Sequence, residues 1–176
     1  MKQLHKWVCR LSEWSGVFAA GLMVVSVLVV CHMIFVRAVL GDSSIWQTEF
    51  VTYALVAATF LGAPYILLTR GHVNVDLLPM FLGDRQRMAL AWLASILSFV
   101  FCLLFLYSAA HWWWEAWTLD LTTASIWRAR LWIPYLSVPV GMTLVCLQYV
   151  VDMWALATGR DLPFSMPSKS KMKEMV

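Results

Sequence analysis

The chain has 176 residues, of which 61% are hydrophobic and only 13% charged, with eleven tryptophans and a formal net charge of +3. That apolar excess is more than a soluble core of this length can bury, so a free globular domain is excluded and the chain belongs in a bilayer. The segments left outside the apolar runs are too short to hold an active site of their own.

A membrane helix needs roughly 20 mostly apolar residues to cross about 30 Å of hydrocarbon. Four segments qualify, at about 16–36, 50–68, 88–110 and 133–157. The expectation is an all-α integral membrane protein: one domain over 1–176, built as a bundle of four tilted transmembrane helices. A short interfacial helix is expected between helices 2 and 3, and a basic tail over 160–176.

The first apolar run follows Lys2, Lys6 and Arg10, as a secretion signal would, but it is too long for a signal core and no small-x-small cleavage pattern follows. Before Cys31, "VLVVC" offers a bulky valine where lipid attachment wants a small residue, so this run reads as a retained helix. Ahead of the second run, Ser44 and Gln47 stand at capping-box spacing, and Glu49 falls in the first turn, where the helix dipole favours a negative charge.

The second run ends in "TRGHVNVD", residues 69–76. Arg70 suits the last helical turn and Gly71 a left-handed cap. Asp76 is placed to cap an amphipathic foot carrying Leu77, Leu78, Met80 and Phe81 on the membrane surface. The third run continues almost without polar interruption from Met88 to Trp117, roughly 45 Å as a helix, so it must tilt or project from the membrane. Its "HWWWEAW" end reads as an interfacial anchor, since an indole keeps its ring in the apolar boundary and its N–H in water.

Orientation follows from lysine and arginine, which resist translocation. Of the 13, ten lie in the N-terminal tail, the middle loop (Arg70, Arg85, Arg87) and the C-terminal tail, against Arg37, Arg128 and Arg130 in the other two loops. Both termini and the middle loop are therefore expected in the cytoplasm. Trp46, Trp112, Trp113, Trp114, Trp117, Trp127 and Trp132 then mark the outer interface, and Trp7, Trp14, Trp92 and Trp154 the inner one.

Chemistry finds little purchase. Cys9, Cys31, Cys102 and Cys146 form no CxxC pair, which argues against thiol–quinone exchange. His32 and His111 both lie toward the outer face and would supply one imidazole pair for haem between helices, which keeps a haem-binding or other electron-transfer anchor as the alternative reading. No cofactor or metal site is expected beyond that alternative. The helix interiors carry Ser26, Thr52, Thr59, Ser95, Ser98, Thr143, cysteines and His32, but no repeat and no intramembrane carboxylate of the kind that builds a transport pathway.

Two motifs carry a resemblance. "WQTEFVTYALVAATFLGAPYILLTRGHVNVDLL", Trp46 to Leu78, resembles the signature of the small membrane subunit, or Q subunit, of the tripartite ATP-independent periplasmic (TRAP) transporters. Trp46, Glu49, Phe60, Leu61, Gly62, Ala63, Arg70, His72, Val73, Val75 and Asp76 match it. "LWIPYLSVPVG" is similar to a second family pattern at Trp132, Tyr135, Pro139 and Gly141; it departs at Arg130, where the family has a proline, and adds Pro134. The likeness covers about residues 10–157.

The resemblance implies a non-enzymatic subunit in the bacterial inner membrane, bracing a large elevator-type membrane subunit. That partner carries the sodium and solute sites, and a periplasmic solute-binding protein delivers an organic acid or similar solute. It also implies a subunit interface among the motif residues Trp46, Glu49, Gly62, Ala63, Arg70, His72, Asp76, Trp132, Tyr135, Pro139 and Gly141. Arg128 and Arg130 are candidates for periplasmic docking through acidic groups on the binding protein. The expected partners are those two proteins and membrane lipid, and no nucleic acid.

Overall fold

A computed structural model of the chain describes residues 2–41, 45–69 and 84–158. Four helices fill them: α1 (Lys2–Phe35), α2 (Trp46–Leu68), α3 (Asp84–Thr118) and α4 (Trp132–Ala157). All four are long and apolar enough to cross a membrane. Each is longer than its apolar run, and α3 is the longest: its 35 residues make about 52 Å of helix against about 30 Å of hydrocarbon. The expected interfacial helix, with Arg70, His72 and Asp76, and the basic tail lie outside the described residues.

Helix ends follow local chemistry. After Phe35 the backbone widens into a π-helical turn, Val36–Leu40, and stops at Gly41, whose φ of 65° is the left-handed conformation glycine adopts at low cost. The expected capping box does not start α2. Ile45 is its N-cap, without a side-chain bond, Ser44 lies outside the described residues, and the Gln47 amide is drawn across to α1. At the other end Thr69 turns both its N–H and its hydroxyl onto the Tyr65 carbonyl, at 2.9 and 3.0 Å.

With no water in hydrocarbon to satisfy polar groups, hydroxyls in these helices bond their own backbone. Ser26 donates to the Leu22 carbonyl at 2.8 Å, Thr52 to Thr48 at 2.9 Å, Thr59 to Leu55 at 2.8 Å and Thr143 to Pro139 at 2.7 Å. That leaves the helix surfaces apolar despite their serines and threonines.

The helices pack chiefly as a row, α1 on α2, α2 on α4 and α4 on α3, with a lighter contact between α1 and α4. α4 is the most buried of them. Small residues set the spacing between neighbours, as expected where dispersion and close backbone approach drive association. A β-carbon on Gly141 would run into the Phe60 carbonyl, so the α2 and α4 backbones touch there. On the α1 side, a β-carbon on Gly16 would stand 2.5 Å from Cγ of Tyr65, and one on Gly62 would meet the Ala19 methyl at 3.4 Å. Phe60 also stacks on Phe105 of α3, with ring centroids 5.8 Å apart.

Candidate functional site

The motif residues sort into three places on this row. At the end of the fold where α1 finishes and α2 begins, Gln47 is almost wholly buried and its Nε2 lies 2.7 Å from Nδ1 of His32. The amide donates, so Nδ1 accepts and the ring carries its proton on Nε2 in this arrangement. His32 and His111, the hypothetical haem pair, stand on α1 and α3; His32 turns one ring nitrogen to the adjacent helix. Trp46 is exposed on the first turn of α2. One turn below, Glu49 has a carboxylate oxygen, Oε2, buried without a hydrogen-bond partner among the described residues.

The tryptophans gather beside this end. The Trp113 indole donates to the Trp132 carbonyl at 3.2 Å, and Trp117 meets Trp132 edge-on at 4.6 Å between centroids. Trp113 lies against Trp117 at 5.9 Å. These contacts lock the start of α4 to the end of α3. Below them an open apolar groove of about 430 Å³ runs between α2, α3 and α4, lined among others by Val56, Phe105, Trp113, Tyr135 and Val138.

The connection from α3 to α4 is a tight hairpin. Thr122 and Arg130 form an antiparallel bridge, the Leu131 N–H bonds the Leu121 carbonyl at 2.9 Å, and the Thr123 hydroxyl accepts from the Ala129 N–H at 3.0 Å. At its tip Ile126 is 89% exposed, and Trp127 and Arg128 are exposed beside it. Arg128 holds a left-handed φ of 46°, and Asp120 one of 44°. Arg130 lies 3.9 Å from Asp120, both side chains being largely in solvent. Of the two docking candidates, then, Arg130 has an acidic neighbour of its own and Arg128 points from the tip.

The second place is the helix crossing already described, where Gly62, Ala63 and Gly141 lie. Gly62 and Gly141 make their close contacts inside this chain, to Ala19 and Phe60. Pro139 stands half-buried within α4, two residues from that crossing. The third, the elbow with Arg70, His72 and Asp76, is outside the described residues.

Sequence reasoning overlooked a polar seam at the opposite end of the fold. Ser12, fully buried, donates to Gln148 Oε1 at 3.3 Å, and Gln148 Nε2 donates to Asp152 Oδ1 at 3.1 Å. Gln148 was not counted among the interior polar groups; its position four residues before Asp152, on one face of an apolar helix, was the available signal. The seam ties α1 to α4 through the Ser12–Gln148 hydrogen bond, with the Asp152 carboxylate accepting from the same amide. Among the described residues no three His, Cys, Asp or Glu side chains are gathered as metal ligands.

Long apolar helices, hydroxyls turned inward on their own backbone and a backbone-to-backbone crossing define a multi-pass helical membrane subunit. Within that class the chain belongs to the family described as "Tripartite ATP-independent periplasmic transporters, DctQ component", whose model matches residues 26–159. It is thus the small membrane subunit of a TRAP transporter, a non-catalytic part of a system with other components. A comparison with curated proteins finds no match.

Proposed function

We propose that this subunit braces the large elevator-type membrane subunit of its transporter during sodium-driven uptake of an organic acid or similar solute from a periplasmic binding protein. The observation that carries this reading is the α2–α4 crossing. A helix pair whose backbones touch at Gly141 and Phe60 is held as one unit, which suits a rigid support. The family to which the chain belongs supplies the setting, and the lysine and arginine distribution supports a bacterial inner-membrane location with both termini in the cytoplasm.

Within this reading Trp46, Arg70, His72 and Asp76 face the large subunit, the last three fixing the elbow after α2. Glu49, Gly62, Ala63, Trp132, Tyr135, Pro139 and Gly141 shape the surface presented to it. The hairpin tip with Arg128, supported by Arg130, meets acidic groups of the docked binding protein.

The test is purification in mild detergent with uptake assayed after reconstitution. The large subunit should copurify, and sodium-dependent uptake should require all components. Replacing His72 and Asp76 together with alanine should reduce recovered complex. Solute translocation by this chain alone, or full complex yield and uptake from the double variant, would contradict the respective parts.

A further inference from the structure

The face of α3 turned away from α4 carries an unusual sequence of side chains. Leu93, Leu97 and Leu104 are 65–69% exposed, with Ile96 and Val100 exposed between them. Continuing along the same face at four-residue intervals come Tyr107, His111 and Glu115, all exposed. Positions 93, 97, 100, 104, 107, 111 and 115 fall within one stripe of a 3.6-residue helix. The stripe is thus apolar at its first four positions and polar at its last three.

Its depth makes the polar part informative. From Trp92 to Trp113 the helix rises about 31 Å, close to the thickness of a hydrocarbon core. The Tyr107 backbone then lies about 9 Å below the Trp113 level, and helical side chains lean toward the N-terminus, which on α3 means toward the middle of the bilayer. Tyr107, 76% exposed, therefore has its backbone at hydrocarbon depth, and among the described residues nothing bonds its hydroxyl. The contrast is Tyr149 of α4, which is half-buried, as is Ser98 of α3. Acyl chains offer neither donor nor acceptor, so lipid leaves Tyr107 unsatisfied.

The exposed face of α1 is of the other kind. Val17, Val24, Leu28 and Phe35 form a stripe broken only by the weakly bonding thiol of Cys31, which suits lipid.

We infer that the outward face of α3, from Leu93 to Glu115, is a further surface that packs against a transmembrane segment of the large membrane subunit, beside the α2 and elbow residues named above. That segment presents apolar side chains opposite the leucines and a hydrogen-bonding, positively charged side chain opposite His111 and Glu115. This rests on the function proposed above and adds to it which face docks and with what chemistry. A second copy of this chain fits poorly, because two-fold packing about the membrane normal sets one Glu115 carboxylate at the depth of the other, and like charges repel. The periplasmic protein is excluded by depth at Tyr107.

The test uses the full chain coproduced with the other subunits of its transporter. A photo-reactive benzoylphenylalanine replaces Leu97 or Leu104 on α3, or Val24 or Leu28 on α1, and adducts formed in intact membranes are identified by peptide mass spectrometry. The α3 positions should give adducts with the large subunit and the α1 positions none. Separately, Tyr107→Phe, a change that leaves the packing shape intact, should lower recovered complex roughly threefold, the value of one average interhelical hydrogen bond in a membrane.

Adducts with the large subunit from α1 alone, adducts of two copies of this chain, or lipid adducts only would each overturn the assignment while copurification keeps the transporter reading intact. Unchanged recovery of the Tyr107→Phe complex would remove the hydrogen bond from it. Failure of the unmodified chain to copurify with any large subunit would sink both the assignment and the reading beneath it.

Discussion

Gly141→Ala tests the crossing on which the bracing role depends. The added methyl would lie 2.6 Å from the Phe60 carbonyl carbon and 3.0 Å from its β-carbon, and inside bonding-forbidden range of the carbonyl oxygen. Ordinary carbon contacts need about 3.5 Å or more, and the obstacle is main chain, which no rotamer change removes. The two helices must therefore part by about 1 Å, at the upper end of the usual overpacking cost, about 3 kcal/mol. Alanine's higher helix propensity returns about 1 kcal/mol. The net, about 2 kcal/mol, changes the folded-to-unfolded ratio roughly thirtyfold.

Unfolding in mixed dodecylmaltoside and dodecyl sulfate micelles, followed by circular dichroism, reads this directly. Gly21→Ala is the control, because nothing lies within 4 Å of a β-carbon at Gly21. Gly141→Ala should unfold at a clearly lower dodecyl sulfate fraction than the parent, and Gly21→Ala should not. If the two variants unfold together, α2 and α4 are not locked at this point.

Gln148→Leu should cost about 1 kcal/mol in the same assay by stranding the buried Ser12 hydroxyl. Adding Ser12→Ala to it should cost less than the two single changes summed, and strict additivity would deny the coupling across the seam. Arg128→Gly should raise the thermal midpoint, since glycine removes about 1 kcal/mol of left-handed strain at the hairpin tip; a lowered midpoint would mean that the arginine stabilises the turn. Asp120→Asn should change stability by less than about 0.5 kcal/mol and be insensitive to salt, because the ion pair with Arg130 is exposed and long. A larger loss, abolished by salt, would refute that.

The four membrane helices were legible because hydrocarbon thickness imposes a minimum apolar length that few soluble sequences meet. Their ends were less so. Asp84, Arg85, Gln86 and Arg87 extend α3 as helix although their polarity marks the end of the apolar run, since a helix does not have to stop where the membrane does. The capping box misled because Gln47 was read against its own helix, while burial turned it toward His32 on another. The neighbours of a helix were not legible either: that α2 sits between α1 and α4, and that Gly141 meets Phe60, depends on contacts between segments some 80 residues apart. Motif glycines stood out in the sequence, but whether they served this chain's own packing or a partner's was visible only when Ala19 and Phe60 were found opposite them.

The spatial order of the row has a bearing on biogenesis. α3 is made third, yet its principal neighbour, α4, follows it and must enter between α2 and α3, drawn in by a hairpin only 13 residues long. Until that insertion, α3 has little more than the Phe60–Phe105 stack to hold it. A chain stopped before Trp132 therefore leaves α3 without the neighbour that fixes it in the row.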